Sequence, residues 1–356
     1  MAQRILVTGG AGFVGSNLAL AFKRDRPSAS VTALDNLNRR GSELALARLR
    51  AGGVDFVHGD VRAPADLAAS GLVDLLIETS AEPSVHAGYD GDPNYLIQTN
   101  LNGAVNCLEH ARRHGAAVVF LSTSRVYPIA RLRALPLERT ATRFALRPDS
   151  QIPGVNAGGI GEDFSLAGSR SLYGATKLAA ELLIEEYRAM YGLRAVVNRC
   201  GVLAGPWQMG KVDQGFIALW MARHLFGGAL SYMGFGGEGL QVRGVLHVDD
   251  LYDLIVRQLA ALEGQPEQGV YNVGGGLANS VSLCELTSLC REISGKRLEI
   301  GRVPETRDAD VPYYVSDNTA VTGSTGWTPQ RGLRALLEDV CRWLVDNREQ
   351  VKSILA

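Results

Sequence analysis

Cysteine is scarce in this chain and does not cluster: Cys107, Cys200, Cys284, Cys290 and Cys341 are the only five in 356 residues, and no CxxC occurs. That excludes a disulfide framework and a zinc ribbon and makes a reduced, cytoplasmic compartment the expectation. Net charge is nearly absent as well. Lys and Arg number 36 against 37 Asp and Glu, a formal charge of −1. This gives no electrostatic case for a nucleic-acid partner or an anionic membrane surface. Long apolar runs are also missing: the most apolar late stretch, Gly215 to Gly236, is interrupted by Arg223, His224 and a glycine pair. The N-terminal MAQRILVTGG lacks the basic, apolar and cleavage regions of a secretory leader, so none is expected. No G-x-S-x-G occurs to carry a nucleophile elbow, and no G-x-x-x-x-G-K-[ST] to cradle a nucleoside triphosphate. His110 and His114 share a helical spacing, but no third ligand accompanies them. They read as a solvated helix face, and no metal is expected.

What the chain has in excess is glycine, 41 residues or about 11.5% against a usual 7% or so, with no G-X-Y period. Such an excess implies tight turns or backbone brought close to a ligand. The length suits two domains, or one with two lobes. Short, almost continuously apolar runs at Arg4–Thr8, Ser30–Leu34, Val54–His58, Leu72–Glu78, Ala116–Ser122 and Arg194–Arg199 read as strands buried on both faces. Helical patterns fall between them, with the longest at Asn94–His114 and Tyr173–Tyr191. This alternation predicts an α/β fold with a doubly wound parallel sheet. After about Arg199 the strands shorten and Gly, Pro and Trp become frequent, although Glu285–Ile293 and Leu333–Ile354 still read as amphipathic helices. The expected division is residues 1–198, with 240–275 returning to them, and a smaller lobe of residues 199–239 and 276–356 at the carboxyl edge of the sheet. Asp149 to Gly168 reads as a polar surface loop.

Three elements carry chemistry. Gly9, Gly12 and Gly15 follow the first strand and open the first helix. A turn of this kind brings backbone N–H groups and a helix N-terminus to a pyrophosphate. Asp35 ends the second strand 20 residues later, where a carboxylate accepts both hydroxyls of an adenosine ribose and repels a 2′-phosphate, favouring NAD over NADP. Arg39 and Arg40 leave room for NADP. Asp60 is placed either to meet the adenine or to cap a helix. The second element is Tyr173-Gly-Ala-Thr-Lys177, whose Tyr and Lys lie one helical turn apart. An ammonium there favours the phenolate, so Tyr173 can serve as base toward an alcohol and as acid toward a ketone. The third is Ser122-Thr123-Ser124, where a hydroxyl can orient the reacting oxygen or simply serve a turn.

In this order and spacing, the three elements resemble the extended short-chain dehydrogenase/reductase family. Further matches are Asn100-Leu-Asn-Gly103, Arg199 to Pro206, Arg243 to Asp250 and Tyr271-Asn-Val-Gly-Gly275, so the resemblance covers nearly the whole chain. It implies a Rossmann-type NAD-binding domain with a smaller C-terminal substrate-binding lobe, NAD held tightly and not consumed, and a nucleotide-diphosphate sugar as substrate. It also implies a homodimer or homotetramer. By the resemblance, Thr123, Tyr173 and Lys177 are catalytic. Cofactor contacts fall to Gly9, Gly12, Phe13, Val14 and Gly15; to Asp35, Asn36, Asn38 and Arg39; to Asp60 and Val61; and to Ser80, Ala81, Asn100, Ser122, Tyr173, Lys177 and Cys200. Substrate contacts fall to Glu82, Thr123, Arg125, Gly201, Trp207, Gln214, Arg243 and Arg307. Arg243 is the candidate diphosphate clamp, against the alternative of a structural ion pair.

Family dehydratases usually carry Thr-Asp-Glu at the end of the fifth strand, and this chain has Thr123-Ser124-Arg125. The run S-T-S-R-V-Y, together with Asp35-Asn-Leu-Asn-Arg39, Phe56 to Asp60, Asp213-Gln214-Gly215, Gln241-Val-Arg243 and Asn279-Ser280, resembles the branch that inverts C2 of CDP-linked hexoses and deoxyhexoses. The expected reaction is therefore NAD-dependent epimerisation. The alternatives are inversion at C4 of a UDP-sugar, net oxidation or reduction of a nucleotide sugar, and a non-enzymatic dinucleotide sensor. The chain departs from the family's pattern at Gly244, at Pro128, at Thr306 to Tyr314, and at Glu78 to Glu82, where H-L-A-x-Q is usual.

Overall fold

The computed structural model describes residues 3–89, 91–211, 214–264 and 269–355 and divides the chain into two compact units. The first comprises residues 1–123, 172–199 and 252–270; the second comprises 124–171, 200–251 and 271–356.

The first unit is built on a seven-stranded parallel sheet. The sheet and the helices joined to it are β1 (Arg4–Thr8), α1 (Phe13–Asp25), β2 (Ser30–Asp35), α2 (Ala45–Ala51), β3 (Asp55–His58), α3 (Pro64–Ala69), β4 (Leu75–Glu78), α4 (Asn94–Ile97), α5 (Gly103–His114), β5 (Ala117–Thr123), α6 (Leu172–Tyr191), β6 (Ala195–Cys200), α7 (Val248–Gly264) and β7 (Val270–Val273), with Cys200, the first turn of α7 and all of β7 after Val270 counted in the second unit. The strand order is β7-β6-β5-β4-β1-β2-β3. The direction of winding reverses between β1 and β4, the point at which open α/β sheets hold ligands beyond their carboxyl ends. The strands are apolar on both faces because helices cover both. Leu6, Leu34, Leu76, Val118, Phe120 and Val197 pack against Leu108 and Ala111 of α5 and Ala180 and Ile184 of α6.

The sequence predicts one long helix over Asn94–His114. The structure instead joins α4 to α5 through a π-helical turn, Gln98–Asn102. A wide turn of this kind inserts an extra residue and re-aims side chains, and such turns recur at functional sites. His110 corrects a second expectation. It is buried, its ring 4.5 Å from that of His114 and its Nε2 beside the Ser70 hydroxyl. Burial, with the neighbouring His114 and Arg113, pulls its pKa down to about 4. Among the described residues no cluster of His, Cys, Asp and Glu could hold a metal.

In the second unit, the strand Val242–His247 pairs with Val202–Ala204, Ser280–Ser282 and Tyr313–Tyr314. The helix Leu283–Ser294 starts at a capping box, Ser282 with Glu285. The helix Leu333–Asp346 buries Leu336, Leu337, Val340, Trp343 and Leu344 along one side, and a separate helix, Arg348–Leu355, follows it. The expected loop Asp149–Gly168 is partly ordered core. Val155–Asn156 and Gly159–Ile160 form a hairpin, Ile160 hydrogen-bonds Val315, and the buried Phe164 ring stands edge-on to Tyr127. Its polar composition hid two large apolar anchors. Among the described residues no helix is long and apolar enough to cross a membrane.

Candidate active site

The carboxyl ends of β1 to β5 and the first turn of α6 gather the expected cofactor and catalytic residues of the first unit. The glycine turn is glycine for two different reasons. A Cβ on Gly15 would lie 2.2 Å from the Gly9 carbonyl oxygen, and one on Gly10 2.6 Å from the Ala33 Cβ, so these two are fixed by packing. Gly9 is in the left-handed region with φ 64°, against the Ser80 main chain. A Cβ on Gly12 meets only one carbonyl oxygen, at 3.1 Å. Its lack of a side chain leaves the helix end open. Gly12 caps α1 with no side-chain hydrogen bond, and the first turn, Phe13-Val14-Gly15, carries no acid. The orphan N–H groups there are suited to a pyrophosphate.

Asp35 lies beside this turn. Its carboxylate accepts the Ala11 N–H at 3.1 Å and the Leu37 N–H at 2.8 Å. Burial pushes its pKa up, and these main-chain donors oppose the rise. Asp60 caps no helix: α3 starts after Ala63, without a side-chain cap. Its carboxylate accepts from Arg62 at 2.7 Å and from Asn36 at 2.9 Å. Burial would raise Asp60, but the bonds from Arg62 and Asn36 outweigh it and hold the pKa at about 2. Arg62 also lies 4.8 Å over the Tyr95 ring, whose hydroxyl takes a hydrogen bond from Asn38. Arg62 and Tyr95 escape a sequence reading because nothing local joins them. Val61 is buried beside Gly103. Burial lowers the Arg39 pKa, with Glu82 opposing.

Asn100 sits in the π turn and clasps the segment after β4 at both ends of one residue. It accepts the Glu82 N–H at 2.8 Å and donates to the Glu82 carbonyl at 3.1 Å. Its side chain thus fixes the Glu82 main chain.

Tyr173 and Lys177 stand one turn apart at the start of α6, and the half-buried Tyr173 is followed by the buried Thr176, whose hydroxyl bonds the Tyr173 carbonyl at 2.9 Å. Thr123 is buried at the end of β5. The Ser122 hydroxyl is turned inward, donating to Glu181 of α6. Glu181 also accepts Arg199 of β6 at 2.8 Å, and both are buried. A second buried pair joins Lys177 to Glu78 at 3.3 Å. Glu78, Glu181 and Arg199 are the polar residues that sequence reasoning left without a partner. The available signal was a carboxylate ending an otherwise apolar strand, which must be matched to be buried.

In the second unit, Arg243 forms no ion pair among the described residues. Its guanidinium donates to the Val242 and Val311 carbonyls, each at 2.8 Å. Burial, with the Arg125 charge nearby, pulls its pKa down to about 9, and Asp310 opposes. Arg125 donates to the Ala309 carbonyl at 2.9 Å. Arg307 is bound to Asp310 at 3.1 Å. Trp207 holds φ at 71°, a strained position for an aromatic residue, with its ring 5.9 Å from that of Trp343. Gly201 bonds the Val273 carbonyl, Cys200 is buried, and the Gln214 carbonyl accepts the Lys211 N–H. Asp213 lies outside the described residues.

The expectation that the charge on Asp35 sets cofactor choice can be tested directly. Asp35→Asn keeps an acceptor for a main-chain N–H and removes the charge facing a 2′-phosphate. Calorimetric titration of cofactor-free protein with each dinucleotide is expected to show the preference for NAD over NADP falling at least about tenfold, roughly 1.4 kcal/mol.

Known proteins extend this description. The model of the NAD dependent epimerase/dehydratase family matches residues 5–274. A CDP-paratose 2-epimerase of Salmonella typhi is 28% identical over 351 residues, covering 96% of this chain and 99% of that protein. A dTDP-glucose 4,6-dehydratase of Streptomyces griseus is 30% identical, covering 98% and 96%. The solved dTDP-glucose 4,6-dehydratase of Streptomyces venezuelae, which has NAD bound, superposes with a TM-score of 0.78 at 28% identity, covering 99% of this chain and 100% of that one.

Proposed function

Because the chain belongs to the NAD dependent epimerase/dehydratase family, whose members act on nucleotide sugars, we propose that it inverts C2 of a CDP-linked hexose or deoxyhexose. The observation that carries this reading is the end of β5. Ser124 and Arg125 follow Thr123 where an elimination needs two acids, so the site has no pair to remove and deliver the elements of water. A chain of this family without that pair keeps only the redox half of the chemistry. The near full-length similarity to a CDP-paratose 2-epimerase favours C2 and a CDP carrier.

The residues of the first unit fit NAD: an uncapped, acid-free helix end, a glycine that leaves it open, and a carboxylate at the ribose position. When bound, NAD supplies a reversible hydride acceptor. Tyr173 takes the proton of the C2 hydroxyl as hydride leaves C2, and returns it to the same oxygen once the 2-keto sugar has turned to present its other face. Lys177 stabilises the phenolate while the proton is away. Thr123 hydrogen-bonds the reacting oxygen and keeps it in line with Tyr173. Arg243 takes a diphosphate oxygen, exchanging a main-chain carbonyl for a charge-assisted partner. Glu82, Arg125, Trp207 and Gln214 are candidates for contacts to the sugar and base.

Purified protein incubated with a CDP-linked hexose in deuterated water and followed by NMR tests the reading. Expected are C2 inversion without added NAD and no deuterium at C2, because hydride returns to the carbon it left. Deuterium at C2, or turnover of UDP-linked sugars at C4 alone, overturns it.

A further inference from the structure

Glu78 touches Lys177 but has no part in the chemistry above. It ends β4, in register with Thr8 of β1 and Phe120 of β5, and its side chain is wholly enclosed. One carboxylate oxygen lies 3.3 Å from the Lys177 Nζ, and the carboxylate also accepts the Ser80 N–H. The same ammonium lies 4.5 Å over the Phe120 ring. Burial pushes the Glu78 pKa up, and Lys177 opposes this. From α5, the buried Cys107 thiol faces the pair; burial first, then the Glu78 charge, pushes its pKa up. One turn along α6, Glu181 is already matched by Arg199 and Ser122. The carboxylate that meets Lys177 is therefore Glu78.

We propose that Glu78 is a positioning residue acting through Lys177: its carboxylate fixes the ammonium and offsets part of its charge, and so sets the pH at which Tyr173 gives up its proton. This rests on the roles given to Tyr173 and Lys177 above. A lone ammonium would stabilise the phenolate strongly and leave a weak base. An ammonium paired with a carboxylate stabilises it less, which leaves Tyr173 a stronger base toward a sugar hydroxyl. The pair also costs Lys177 its freedom to swing, since Glu78 and the Phe120 face hold it from two sides.

The test uses the full chain loaded with NAD and no sugar, so its outcome is separate from that of the epimerase reading. Tyrosinate absorbance is followed as pH rises, taking the difference from a Tyr173→Phe protein. Glu78→Gln is expected to lower the Tyr173 midpoint by about one pH unit. Glu78→Asp, which draws the carboxylate back by one methylene, is expected to lower it by a few tenths. In a Lys177→Met background, Glu78→Gln is expected to move the midpoint less, because the ammonium through which Glu78 acts is gone. Should Glu78→Gln fail to retain NAD or to fold, the Asp variant carries the test. A midpoint that is unchanged or raised in whichever variant folds overturns the proposal.

Discussion

Tyr173→Phe is expected to lower kcat by about a hundred- to ten-thousand-fold, the range ordinarily supplied by one acid–base group. That is roughly 3 to 5.5 kcal/mol of barrier. The substitution removes one oxygen and no carbon, so the first turn of α6, the Thr176 bond to the residue 173 carbonyl and the burial of Lys177 should persist. Retained NAD and the thermal midpoint should stay near those of the unaltered protein. KM should change little, since the hydroxyl makes its strongest contact as the proton moves and not in the ground state. Lys177→Met should lower kcat too, but it strands Glu78 as a buried carboxyl and should cost stability as well. The contrast separates a residue that only reacts from one that also holds charge. Unchanged turnover in Tyr173→Phe would remove Tyr173 from the reaction and favour a chain that binds the dinucleotide for another purpose.

Sequence carries a feature well when its parts are close along the chain. The glycine turn, Asp35 at the end of β2 and the Tyr173–Lys177 spacing are all local, and each sits at the edge of a strand or the start of a helix that apolar patterning already marks. The parallel sheet was legible for the same reason. What was hidden depends on partners far apart. Glu78 and Lys177 are separated by 99 residues, and Ser122 and Glu181 by 59. A strand ending in glutamate announces a buried carboxylate but not its partner. The π turn at Gln98–Asn102 leaves no mark on an amphipathic pattern, since it inserts a single residue. The hairpin inside Asp149–Gly168 was read as exposed because its polar residues outnumber Ile160 and Phe164, the two large apolar side chains buried there. Arg243 shows the limit from the other side. The sequence singles out Arg243 as a candidate, while its two main-chain carbonyl partners, and the lack of an acidic one among the described residues, are seen only in the structure.

Arg199→Met is expected to be the most damaging single change to stability in the first unit. Arg199 meets the Glu181 carboxylate at 2.8 and 3.0 Å, and Glu181 in turn holds the Ser122 hydroxyl, all three being buried. Removing the cation leaves a carboxylate with one weak donor and no solvent. Breaking a buried pair in this way costs about 3 to 5 kcal/mol, against a whole-domain stability of about 5 to 15. Scanning calorimetry should show Tm falling on the order of 10 °C. The loss arises from the stranded charge, so Arg199→Met with Glu181→Leu should recover most of it, even though it removes more of the native hydrogen bonds. The change should also reach Tyr173. Glu181 lies one turn from Lys177 on α6, and once freed from Arg199 it becomes a second carboxylate competing with Glu78 for the same ammonium. The Tyr173 titration midpoint should then rise in Arg199→Met and return in the double variant. A fall in stability under about 1 kcal/mol, with no movement of Tyr173, would mean that water reaches Glu181 and that the two buried pairs are independent.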